Sequence, residues 1–247
     1  MEEQKFKFPT EMVDLPSKGL VYPEGHPLSS GQVEMKYMTA REEDILTNQN
    51  YIVKGVVIDK LLQSLIVTKF DYNTLLIGDK NALLVASRIL GYGKDYDFNY
   101  LGEVKVVDLS KLDNKVLDDS IFIKGKNEFA FTLPHSNTPI TFKLLTEGDE
   151  NKIEDELKGL KKINKDSVPE LTTRLKQVIL SIDGDYEKKT IREFVDNYLL
   201  AKDSRSLREY IGKIQPDVDL TFEIETSNEE TEKINIPIGL NFFFPDA

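Results

Sequence analysis

Val33-Glu34-Met35-Lys36-Tyr37-Met38-Thr39 returns without a gap as Ile140-Thr141-Phe142-Lys143-Leu144-Leu145-Thr146. In both copies apolar and polar residues alternate as a half-buried strand requires, and a threonine placed to cap a helix closes the run. In the first copy Thr39 is followed three positions later by Glu42, the spacing of a capping box that opens a helix toward Leu46. A repeated segment has to be weighed before a long chain is read as one design. Three further pairs keep the same order. Leu15-Pro16-Ser17 precedes the first copy as Leu133-Pro134-His135-Ser136 precedes the second. Asp79 with Leu83 and Ile89 matches Asp203 with Leu207 and Ile211, and Asp95-Tyr96-Asp97-Phe98 matches Asp217-Val218-Asp219-Leu220.

Working outward from the repeat gives an α+β fold of two pseudo-repeated lobes. Each has a short antiparallel β element, a cluster of helices and a terminal β-hairpin, and the lobes pack through a shared interface. Residues 56–67 and 79–90 carry leucines and isoleucines at helical spacing and read as core helices, the second stopped by Gly91 and Gly93. Residues 103–109 read as a strand. Residues 121–133 read as a hairpin turning at Lys124-Gly125-Lys126-Asn127, and residues 138–145 as another strand. Helices are expected at 149–163, 169–182, 188–200 and 203–214, the last capped by Asp203, with strands at 219–225 and 233–240. Prolines 9, 16, 23 and 27 make residues 1–30 an extended arm. The expected units are therefore that arm, a first lobe at 31–115 and a second at 116–247.

The 247 residues, 40% hydrophobic, suffice to bury about 70–75% of the unfolded surface, as one core or two. With 32 basic and 43 acidic side chains the net charge is -11, which opposes binding to a phosphate backbone. No cysteine is present, so disulfides and thiolate metal sites are excluded. Residues 1–8 lack the apolar centre of a secretory signal, and charges interrupt the longest apolar stretches well short of a bilayer span. No nucleic acid, membrane or cofactor is expected.

Chemistry is sparse in the sequence. His26 and His135 both lie beside prolines, far apart, and neither stands near a nucleophile in a strand-to-helix elbow. Gly91-Tyr92-Gly93-Lys94 follows a helix, whereas a phosphate cradle precedes one. Asp183-Gly184-Asp185 lacks the rest of a calcium loop and reads as a turn. Phe242-Phe243-Phe244 cannot all enter one core from an extended segment, so one ring needs a second apolar surface, on the other lobe or on a partner. Together with Pro16 and Tyr22 of the arm, Phe242, Phe243 and Phe244 form the expected partner-binding set.

Leu15-Pro16-Ser17-Lys18-Gly19 with Tyr22, Met38-Thr39-Ala40-Arg41-Glu42-Glu43, Gly78-Asp79-Lys80, Tyr92-Gly93 and Leu145-Thr146-Glu147-Gly148-Asp149-Glu150 stand in the order seen in the baseplate hub assembly proteins of T-even-type tailed phages. Ile182-Asp183-Gly184, residues 203–211 and the ending at 241–245 extend this resemblance over nearly the whole chain. It implies a non-catalytic protein–protein interaction factor in assembly of the baseplate hub, with other hub or tail proteins as partners and homo-oligomers as a further option. The implied location is the cytoplasm of the infected bacterium or the virion baseplate. A permanent baseplate subunit is the alternative, and a carboxylate-dependent enzyme with an interlobe cleft a remote one. Some members of the resembled family carry paired cysteines in the segments equivalent to 100–109 and 219–240. Without them, no zinc-stapled hairpin carries over and packing has to hold both hairpins.

Overall fold

The computed structural model describes residues 9–163, 168–225 and 231–243. Strand β1 (Thr10–Asp14) pairs antiparallel with β2 (Gln32–Lys36), placing Val13 opposite Val33 and Glu11 opposite Met35. Three helices follow, α1 (Ala40–Leu46), α2 (Gln49–Val53) and α3 (Val57–Leu65), then the longer α4 (Ile77–Tyr92). The hairpin of β3 (Asp95–Tyr100) and β4 (Glu103–Asp108) ends in a 3-10 turn at Leu109–Lys111.

The second lobe repeats this order. Strand β5 (Phe129–Thr132) pairs with β6 (Pro139–Phe142), with Phe131 opposite Ile140 and Phe129 opposite Phe142. Then come α5 (Glu147–Ile163), α6 (Glu170–Val178), β7 (Ile179–Ile182), α7 (Lys188–Asn197) and α8 (Ala201–Ile214). A closing hairpin, β8 (Thr221–Glu225) and β9 (Thr231–Asn235), again leads into a 3-10 turn, at Leu240–Phe242.

The correspondence extends to how helices end. The residue after α3, Ile66, leaves the helix with its amide bonded to Leu62 O and bridges Met35 of β2. The residue after α6, Ile179, does the same with Leu175 O and pairs with Phe142 of β6. In the second lobe the chain continues into β7, a full third strand, whereas the first lobe keeps only the single bridge. Along α4 and α8 the match runs Asp79 with Asp203 and Leu83 with Leu207, the leucines both fully buried. Spacing along the two helices then sets Ser87, rather than Ile89, against Ile211.

Several sequence expectations are corrected. Residues 1–30 do not form a separate arm in their described part: β1 is paired, and Leu15, Ser17, Val21, Tyr22 and Leu28 are buried. The prolines flank β1 without interrupting it, and Gly19, at φ 74°, lies so close to Ser29 O that a Cβ there would approach it to 2.5 Å. The hairpin expected at 121–133 is absent; only Phe129–Thr132 is a strand and its partner is β6. The turn at 124–127 instead reaches sideways, Gly125 N donating to Leu20 O, and Asn127 bonding both the amide and the carbonyl of Leu144. The helix expected at 169–182 splits into α6 and β7, because Ile179-Leu180-Ser181-Ile182 pairs along β6. Asp203 does not cap α8; it is the helix's third residue, the cap position being Leu200. At the expected boundary, Asp113–Lys115 of the first lobe lie against the second. Asp183 and Gly184 form the expected turn, both at positive φ.

Candidate interaction site at the seam between the lobes

Two carboxylate clamps recur in both lobes. In the first lobe Glu42 Oε2 accepts from the Thr39 amide (3.0 Å) and hydroxyl (2.6 Å), and Oε1 from Lys36 Nζ (2.8 Å) and Ser64 Oγ (2.7 Å). In the second lobe Asp149 Oδ2 accepts from the Thr146 amide and hydroxyl, and Oδ1 from Lys143 Nζ at 2.7 Å. Burial would raise the Glu42 carboxyl, but these donors outweigh it and hold the group down at about 2. Asp149 is lowered in the same way, its burial outweighed by Lys143 and Thr146.

The second clamp ties the Leu-Pro-Ser turn to the start of the long helix. Asp79 Oδ1 accepts from Ser17 N (2.9 Å), and Oδ2 from Ser17 Oγ (2.7 Å) and Tyr22 OH (2.6 Å); Tyr22 OH in turn accepts from Leu76 N at 3.0 Å. In the second lobe Asp203 accepts from the amides of His135 (2.8 Å) and Ser136 (3.0 Å). Burial dominates at Asp79 and raises its pKa, and pushes Tyr22 far above the phenol range. At Asp203 burial is outweighed by the two amides and the pKa is lowered. The difference follows from burial, which at Asp79 outweighs three donors that each lower the pKa, the Ser17 amide and hydroxyl and the Tyr22 phenol, and at Asp203 does not outweigh the donors.

The lobes meet along a short backbone ladder. Ile77 N donates to Leu145 O (3.2 Å) and Glu147 N to Leu75 O (2.8 Å), flanking an antiparallel bridge between Leu76 and Thr146. Above it Lys80 Nζ sits between Asp59 (2.6 Å) and Glu147 (2.7 Å), and Asn81 Nδ2 donates to Asp217 Oδ1 (2.9 Å). Burial would lower Lys80, but the two carboxylates prevail and raise it. Gly78 passes so close to Pro216 that an added Cβ would lie 1.7 Å from its carbonyl oxygen. The hairpin tails are exchanged: Asp113–Lys115 pair with Asp217–Asp219, while Arg88 Nε donates to Phe242 O (3.0 Å) and the Phe242 ring meets Tyr96 edge-on at 4.8 Å.

These contacts decide where the expected partner-binding residues lie. Pro16, Tyr22, Phe242 and Phe243 are all buried within the chain itself, and Phe244 lies outside the described residues. The first four are thus corrected from docking residues to internal packing: Tyr22 serves the Asp79 clamp, and Phe242 finds its second apolar surface on the other lobe. Asp59 and Arg88 carry no sequence signal of their own, and Lys80 and Glu147 stand in quoted motifs that do not show them to be partners, since the contacts of all four join distant parts of the chain. His26 faces Thr74 (3.1 Å) and stacks on Tyr22. Among the described residues no three His, Asp or Glu side chains are grouped as a metal site, and no helix is long and apolar enough to cross a membrane.

Beside the seam a cleft of about 270 Å³ opens between Ile77 and the second lobe, floored by Leu145, Leu171, Leu175, Val178 and Ile211. Its rim carries Arg208 and the Arg174–Glu150 ion pair. The first lobe has Leu61 and Leu84 where the rim has arginines, and Met38 fills the equivalent space against Gly91. The cleft therefore arises from divergence of the two copies.

No family model, curated protein or solved structure matches this chain.

Proposed function

We propose that this chain is a non-catalytic protein–protein interaction factor in assembly of a tailed-phage baseplate hub, acting in the cytoplasm of the infected bacterium. The observation that carries the reading is the fate of the resemblance motifs. Six polar residues of those motifs, Ser17, Tyr22, Glu42, Asp79, Asp149 and Asp203, are spent on clamps within each lobe. A motif set that specifies a doubled scaffold fits a protein whose work is presenting surfaces, with the divergent cleft and its arginine rim as the contact most suited to an acidic, apolar-tipped partner segment.

Affinity capture of the tagged chain from infected cells, read by mass spectrometry, tests this. Hub or tail proteins are expected in fixed ratio, and Arg208→Glu is expected to reduce them; recovery of the chain alone would overturn the reading. Peptides of this chain in purified particles would favour a resident baseplate subunit over a factor that leaves.

A further inference from the structure

The first hairpin carries an apolar face that the core does not use. Along β3 and β4, Tyr96 and Val107 lie opposite one another and are buried, so alternation turns Val104 and Val106 outward, where they are 67% and 59% exposed. At the tip Leu101 is 87% exposed. It forms with Gly102 a two-residue turn in which both have positive φ, 50° and 86°, the geometry that favours asparagine before glycine and strains a leucine. The closing hairpin β8–β9 gives the contrast. There Phe222 and Ile234 face inward, and Thr221, Glu223, Lys233 and Asn235 face out, with Glu223 paired to Lys233 at 3.2 Å. A hairpin in this place therefore has no need of an apolar outer face.

Charge narrows what covers it. Residues 94–108 hold two lysines and four carboxylates, and Asp95, Asp97 and Asp108 share the outer face with the two valines. Two copies stacked hairpin on hairpin would set these aspartates against one another in a chain of net charge -11, so that pairing is disfavoured. The cleft beside the seam has the opposite character. Its apolar floor includes Leu171, itself 45% exposed, and its rim carries Lys143, Arg174 and Arg208 against one carboxylate, Glu150. Its volume of about 270 Å³ falls just below that of pockets enclosing a drug-sized ligand and matches the scale of one or two aliphatic side chains.

We infer that the tip of the β3–β4 hairpin of one copy docks in the cleft of a second copy. Leu101 enters against Leu145, Leu171 and Leu175, Val104 and Val106 cover the rim, and the hairpin's carboxylates lie toward Arg174 and Arg208. The strained leucine is then offset by burial that only the docked state provides. Because hairpin and cleft are different surfaces, the contact joins copies as a reciprocal pair, a ring or an open chain. The inference rests on the reading of the cleft as a seat for an acidic, apolar-tipped segment and is independent of the baseplate assignment.

Sedimentation velocity of the full chain over a concentration series reaching about 100 μM tests it, the range in which a small contact is populated. The expected result is a mass that climbs to the dimer or beyond. Leu101→Asn supplies the residue that the turn favours, so it is expected to unfold at or above the wild-type temperature while association weakens by at least about tenfold. Arg208→Glu, on the rim, is expected to weaken association as well. Each variant alone is expected to stay monomeric, and an equimolar mixture to recover a dimer, since the first keeps its cleft and the second its hairpin. Capture from infected cells separates this contact from the baseplate reading: Leu101→Asn leaves the cleft open and is expected to recover hub or tail proteins at least as well as the wild type. Self-association without any such recovery would remove the baseplate reading and leave this inference standing. A wild-type chain that stays monomeric across the series, a Leu101→Asn or Arg208→Glu chain that associates as the wild type does, or a mixture that remains monomeric would overturn the inference.

Discussion

At the scale of single residues, the clamps separate carboxylates by the sign of their pH response. The Glu42 pKa is depressed in the fold from 4.5 to about 2. Its contribution to stability is therefore complete above about pH 4.5 and is lost as pH falls through the folded value. Asp79 is shifted the other way, so the folded state holds its proton more tightly than the unfolded chain and the group opposes folding once pH rises above that window. Glu42→Gln should then lower the urea midpoint at neutral pH and flatten its fall between pH 4.5 and 2; an unchanged acid profile would remove Glu42 from that role. Tyr22→Phe takes one donor from Asp79 and leaves the Leu76 amide without its acceptor in a buried site. Its expected cost is about 1–3 kcal/mol in urea unfolding. Of this detail the sequence showed the Thr39–Glu42 spacing and the paired aspartates, because a capping box is local. Tyr22 was read as a docking residue because its partner lies 57 positions away.

At the scale of elements, the repeated strand and the long helices were legible because hydrophobic period and caps are short-range properties. Strand β1 was not: Thr10-Glu11-Met12-Val13-Asp14 has one strongly apolar residue facing the core, and the prolines around it dominate the pattern. The stronger second copy, Phe129-Ala130-Phe131-Thr132 before Leu133-Pro134, held the missing clue, since Val13 precedes Leu15-Pro16 at the same distance. Strand β7 was hidden for a different reason: a four-residue run with three apolar side chains directly after a helix continues the helical period until a neighbouring strand claims it. Glycines separate the elements that carry the seam from those that do not. Gly78→Ala drives a methyl group into the Pro216 backbone and is expected to destabilise strongly. Gly212→Ala, in α8 with nothing within 4 Å of its added Cβ, is expected to raise the unfolding free energy by about 0.5–1 kcal/mol. Equal effects of the two substitutions in denaturant titrations would contradict the seam as drawn.

At the scale of the whole molecule, two lobes that look like a tandem pair behave as one body, because each lends the other its tail. The second lobe's Phe242 and Phe243 are 0% and 1% exposed, with Phe242 packed on Tyr96 and its carbonyl held by Arg88 of the first lobe. The first lobe's Asp113–Lys115 return the contact on Asp217–Asp219. One hydrophobic core runs through both. A large-to-small change at Phe242 removes a full ring from that shared core, and its expected cost is about 3–5 kcal/mol. Since the ring belongs to one lobe in sequence and to the other in packing, Phe242→Ala cannot weaken either lobe alone. Urea unfolding of this variant, followed by tyrosine fluorescence and by far-ultraviolet circular dichroism, is therefore expected to shift as a single coincident transition. Two separated transitions, with only the one assigned to residues 129–243 displaced, would mean that the lobes fold independently and that the tail exchange contributes little to their union.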